Sequence, residues 1–130
     1  FDLLALDAFS SDAVPMHLMT REAFADYARV LAPDGLLLVH ISNRMLDLEP
    51  VVSAAARAGG WSAAQLLYTP LAGDPIARAK SQWIALSHDP SRIAALRARD
   101  AAWQPLPPYP GFTPWSDDYS TILPLIKAWR

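Results

Sequence analysis

The chain reads as an α/β domain with a mostly parallel sheet and one antiparallel strand. Three observations predict this. Phe1-Asp2-Leu3-Leu4-Ala5-Leu6 and Leu36-Leu37-Leu38-Val39-His40-Ile41 are near-continuous apolar runs, the pattern of strands covered on both faces. Between them Phe24, Tyr27, Ala28 and Leu31 recur at helical spacing, so strand, helix and strand form one crossover unit. Two further runs, 63–69 and 82–87, flank a connection too short for another crossover helix and are expected to be antiparallel neighbours.

Each element has its local signals. The first strand ends at Asp7, and a loop rich in Ser, Asp and Pro follows to Met19. Thr20 offers an N-cap to a helix expected over 21–32, and Pro33-Asp34-Gly35 stops it and turns the chain into the second strand. Glu49-Pro50 suits a helix start, Val51 to Ala58 is Ala-rich, and Gly59-Gly60 ends that helix. Asp89-Pro90 opens another helix, with Asp as cap and Pro at the first helical position. Regularity is expected to end there, because five of the twelve prolines lie between Pro105 and Pro114, which reads as an extended loop. The tail from Trp115 reads as helical, interrupted at Pro124.

Length and composition bound the function. The 130 residues, 52% of them hydrophobic, suffice for one domain, and opening without Met on a strand already under way predicts a piece of a longer chain. A formal charge of -2 lacks the basic footprint of a nucleic-acid binder. Without cysteine there are no disulfides, thiolate metal sites or thiol nucleophiles, and the absence is compatible with a reducing compartment. No apolar run approaches the roughly 20 residues needed to span a bilayer. Glycine loops that cradle nucleotide phosphates and the G-x-S-x-G elbow are missing, and His17, His40 and His88 form no metal-ligand spacing.

In open α/β sheets ligands bind beyond the carboxyl ends of the strands, so the loops after Leu6 and Ile41 are the ones to inspect. Asp7 and Asp12 lie there with Ser10 and Ser11 between them, and residues 1–20 contain no Lys or Arg. A cation meets a locally negative surface at this edge, and a carboxylate within hydrogen-bond reach can take a proton from an amine. The same residues also read as a strand end and turn caps. His17 is a weaker candidate close to this loop, whereas His40, inside a strand, reads as a core histidine. Asp117, Asp118 and Tyr119 form a second acidic group that either closes over the same edge or caps a helix. Trp61, Trp83 and Trp129 read as packing residues.

Taken together, Phe1 to Asp7 leading into Ser10-Ser11-Asp12, then Pro15, His17 to Phe24 and Leu31-Ala32-Pro33-Asp34-Gly35-Leu36, resemble the C-terminal half of the catalytic domain of the spermidine synthase family. The likeness covers about residues 1–88, and Trp115-Ser116-Asp117-Asp118-Tyr119-Ser120 resembles the tail of its spermidine synthase-like branch. The resemblance implies a Rossmann-like fold of the class I methyltransferase type, of which this chain supplies strands four to seven as a single partial domain over 1–130. It implies transfer of an aminopropyl group from decarboxylated S-adenosylmethionine, a co-substrate and not a tightly bound cofactor, to putrescine or a related amine in the cytoplasm. On it, Asp7 contacts the donor or the amine, Asp12 orients and deprotonates the amine, and Tyr68 falls near a loop that encloses the polyamine. Ser10, Ser11, His17, Asp117, Asp118 and Tyr119 complete the expected substrate-binding set. Ala8-Phe9 and Ala13 depart from the family's loop, so a methyltransferase using S-adenosylmethionine and a non-catalytic α/β assembly module stand as alternatives. A missing N-terminal half leaves one strand edge unpaired, which predicts dimerisation.

Overall fold

The computed structural model describes residues 1–7, 16–41, 47–68 and 81–117, with the side chains of Tyr68 and Ser81 excepted. Five strands form one sheet in the order β1-β2-β4-β3-β5, with β1 Leu3–Leu6, β2 Leu36–His40, β3 Ser62–Tyr68, β4 Ser81–Ser87 and β5 Trp103–Pro105. Among the described residues three α-helices, α1 Arg21–Val30, α2 Glu49–Ala58 and α3 Pro90–Arg99, accompany the sheet in an α/β architecture.

The sheet is mixed, which corrects the expectation of a mostly parallel one. Among the described residues only β1 and β2 pair in parallel; β2 with β4, β3 with β4, and β3 with β5 are antiparallel. The physical reason is one insertion. β4 lies between β2 and β3, so these two strands, which share a direction, do not pair with each other, and each pairs with the reversed strand instead. The antiparallel pairing of β3 and β4 is as expected, in register from Ser62 opposite Ser87 to Tyr68 opposite Ser81.

Alternation along the strands sorts side chains onto two helical layers. Leu37, Val39 and Ile41 of β2 and its end join Ile84 and Leu86 of β4 in the main core, against Phe24 and Leu31 from α1 and its end and Val51, Val52 and Ala55 from α2. Ala64 and Ala85 point to the opposite face, where Ile93 of α3 covers them with Leu36, Leu38, Leu96 and Trp103. β1 is an edge strand, and Leu4 and Leu6 pack on the core while Phe1 and Leu3 are exposed.

The local signals act as their chemistry dictates. Leu31 is extended, at ψ 147°, so α1 stops at Val30. A Cβ at Gly35 would sit 3.0 Å from the Ala32 carbonyl oxygen and 3.1 Å from that of Phe1, so any larger residue must push this backbone aside by a few tenths of an ångström. Gly60 takes φ 73° in the turn after α2, a left-handed conformation that side-chain-bearing residues rarely adopt. The proline-rich segment is not wholly irregular, because Trp103 to Pro105 pairs with β3 as a short outer strand. Beyond it the chain is tied to one side of α2. Glu49 accepts from the Tyr109 hydroxyl, the Ser53 hydroxyl donates to the Pro107 carbonyl at 2.7 Å, and Arg57 donates to the Tyr109 carbonyl at 3.2 Å. These α2 residues are four apart and lie on one helical face. Trp115 then enters the core; the tail from 118 onward lies outside the described residues.

At the start of α3, Asp89 accepts from the Ser91 hydroxyl at 2.7 Å and from its amide at 3.0 Å, and these bonds hold its pKa below the usual carboxylate value. A carboxyl whose value is depressed by folding stabilises above its unfolded value and loses that contribution as pH falls through the folded one. The first turn of α3 is therefore expected to fray below about pH 4, read as loss of amide-exchange protection beginning at Ile93 while α1 stays protected.

Candidate functional site

Strand direction collects the candidate residues at one end of the sheet. β4 runs against both β2 and β3, so β1, β2 and β3 share a direction and their carboxyl ends, at Asp7, His40 and Tyr68, lie along one edge. A crossover helix returns against its strand, which brings the first turn of α1 and the residues before it to the same end.

Asp7 meets a partner that the sequence reading left in the core. Leu6 and Val39 are register partners, so Asp7 and His40 follow side by side, and His40 Nδ1 lies 2.8 Å from Asp7 Oδ1. The His40 side chain is only 15% exposed and that of Asp7 57%, so the imidazole is largely buried and satisfied on one nitrogen, while the carboxylate carries the pair to the surface. Trp83, opposite His40 in β4, stacks on the imidazole with ring centroids 4.6 Å apart and planes at 30°. Trp83 thus does more than fill space. The overlooked signal lay in the strand ends, since Asp7 and His40 are the polar residues closing two adjacent apolar runs.

His17 and Asp117 come together at the first turn of α1. With Met16, Thr20, Glu22, Ala23, Asp26 and Ser116 they line an open cleft of about 420 Å³. His17 lies in a short 3-10 helix, Met16–Leu18, that leads into the cap. The Thr20 hydroxyl has three partners, one of them the His17 carbonyl at 3.5 Å. It accepts from the Ala23 amide at 3.1 Å as the N-cap of α1 and donates to Asp117 Oδ1 at 3.0 Å. The Asp117 amide donates to Glu22 at 3.2 Å, and the Trp115 carbonyl accepts from the Arg21 amide at 2.7 Å, so the segment is docked through three bonds. Arg29 pairs with Asp26 and Arg21 reaches Glu22 at 3.5 Å, whereas Asp117 has no ion-pair partner among the described residues. The cleft is acidic on balance and suits a cationic ligand. Thr20→Val removes the cap to Ala23 and the bonds to Asp117 and His17 in one step and is expected to cost about 1 to 2 kcal/mol, seen as a lower denaturation midpoint together with loss of the Asp117 tether.

A second opening of about 480 Å³ runs between α1 and α2, lined by Phe24, Ala28, Ala55, Gly59, Trp61 and His88 among others. It lies apart from the predicted residues. Toward the strand ends on the α2 face, Gln82 donates to Glu49 at 2.8 Å and to Gln65 at 3.1 Å, a polar group that sequence reading did not single out.

Ser10, Ser11, Asp12, Asp118 and Tyr119 lie outside the described residues, as does the side chain of Tyr68, whose backbone closes β3 on the shared edge. Among the described residues no three His, Cys, Asp or Glu side chains converge on a metal position, and no helix is long and apolar enough to cross a membrane. No family model, curated protein or solved structure matches the chain.

Proposed function

We propose that the chain is the C-terminal half of a spermidine synthase-like aminopropyltransferase, Rossmann-like in fold, that moves an aminopropyl group from decarboxylated S-adenosylmethionine to putrescine or a related cationic amine. The observation that carries this reading is the convergence at one sheet end of Asp7, the Tyr68 backbone and an acidic cleft holding His17 and Asp117, the latter without an ion-pair partner among the described residues. β4, the one reversed strand among the first four, also supports it.

The chemistry asks little of the protein beyond charge and position. The amine nitrogen attacks the carbon bonded to the sulfonium, the carbon–sulfur bond breaks, and its electron pair stays on sulfur as methylthioadenosine leaves. The nitrogen gives up a proton to a nearby base, the role that the resemblance assigns to Asp12. Acidic side chains favour the cationic amine, Ser10, Ser11, Asp118 and Tyr119 belong to the proposed binding set, and the donor is a co-substrate.

The test is incubation of the full protein with putrescine and decarboxylated S-adenosylmethionine, with spermidine and methylthioadenosine measured together. Equal amounts of both are expected. Methyl transfer from S-adenosylmethionine in their place would identify a methyltransferase. The exposed edge of β1 favours one further reading, an α/β module that assembles with a second copy or another subunit. In that case a charge at Leu3 disrupts assembly and neither donor is consumed. A cytoplasmic location follows from the proposed substrates.

A further inference from the structure

β1 and β2 leave the sheet side by side, and the last polar group of each touches the other, His40 Nδ1 to Asp7 Oδ1 at 2.8 Å. A carboxylate can only accept, so in the neutral ring Nδ1 carries the hydrogen and the basic lone pair resides on Nε2. Nε2 has no hydrogen-bond partner among the described residues. Trp83 stacks on the ring from the other side and limits its rotation, so the orientation is set by two contacts from two neighbouring strands. Asp7 is the titratable group in contact with the imidazole among the described residues; Trp83, from β4, adds none. Near neutral pH an imidazole is a better proton acceptor than a solvated carboxylate.

The geometry points to His40 as the catalytic base that takes the proton from the attacking amine, with Asp7 as its positioning residue, an inference that rests on the aminopropyl-transfer reading. The ammonium form of the amine gives a proton to Nε2, and the freed lone pair forms the new bond to the carbon next to sulfur. The carbon–sulfur bond breaks with its pair retained on sulfur, and the imidazolium, held by the Asp7 carboxylate, later releases its proton to water. This replaces the carboxylate base implied by the resemblance. It also gives Asp7 a task other than touching substrate.

The competing possibility is a structural tie between two strand ends, and His40→Asn separates the two. Its amide nitrogen can take the place of Nδ1 and keep the bond to Asp7, but it has no basic lone pair. In the full protein with putrescine and decarboxylated S-adenosylmethionine, His40→Asn is expected to melt as the wild type does and to lose about 10²- to 10³-fold in kcat, with KM for putrescine little changed. The ascending limb of its kcat–pH profile should disappear. Asp7→Asn should keep that limb and reduce kcat about tenfold. A readout independent of turnover is acylation of the wild-type protein by diethyl pyrocarbonate, which should modify His40 and be slowed by putrescine. Wild-type kcat and an unchanged pH profile in His40→Asn would overturn the inference and leave the transfer reading standing, as would a His40 that the reagent does not reach. Absence of product from the folded wild type with either sulfonium donor would overturn both.

Discussion

Trp115→Ala is expected to lower the stability of the protein by about 3 to 5 kcal/mol. Trp115 is the largest fully buried side chain among the described residues, and it sits in the main core with residues of both helices on that face. Truncation leaves a cavity that the sheet cannot collapse to fill, because Ile84, Leu86 and Val39 are held by ladder hydrogen bonds. Trp115→Phe should cost far less than Trp115→Ala. The indole Nε1 is buried without a hydrogen-bond partner among the described residues, so phenylalanine removes a donor that they leave unsatisfied along with part of the ring. Urea denaturation of the three proteins checks this, and equal midpoints for Trp115→Ala and wild type would refute it. The loss should also reach the acidic cleft, since Asp117 lies two residues beyond and depends on the same docked segment.

Phe24→Ala should produce a loss of similar size, about 3 to 5 kcal/mol. Phe24 is 1% exposed and meets Tyr27 edge-on at 5.5 Å and Trp61 edge-on at 6.4 Å, so one truncation removes two aromatic contacts as well as buried area. Phe24 also lines the groove between α1 and α2, and the new cavity opens toward it. Water admitted there will reach Tyr27, whose phenol is pushed up by burial and donates to the Leu18 carbonyl at 2.7 Å. Its titration should move back toward the ordinary tyrosine value in Phe24→Ala. A denaturation midpoint unchanged from wild type, or a Tyr27 titration that does not move, would show that this face is not packed as described.

The elements legible in the sequence are those encoded by neighbours in the chain. Thr20 and Asp89 act as caps, Gly59-Gly60 ends α2, and the apolar runs at 3–6 and 36–40 are strands, because each signal needs only a few adjacent residues. Strand order was not legible. Nothing local distinguishes a β4 that lies outside β3 from one that slips between β2 and β3, and the parallel count hangs on that choice. Trp103 to Pro105 was hidden by proline, which does not prevent pairing at an outer edge. Within the site, Asp7, His17 and Asp117 stood out as polar residues in loops. His40 did not, because its role depends on a register partner 33 residues away and on Trp83 arriving from a reversed strand.

The tie between α2 and the segment after β5 has a consequence for which substitutions this protein can accept. Ser53 and Arg57 read carbonyl oxygens, of Pro107 and Tyr109, and a carbonyl is the same whatever side chain its residue carries. The course of 107–110 is thus written on α2 and not in its own side chains, apart from the Tyr109 hydroxyl. Pro107, Pro108 and Pro110 can be exchanged for other residues content with an extended backbone, whereas changes at 49, 53 and 57 erase the address to which the segment is delivered.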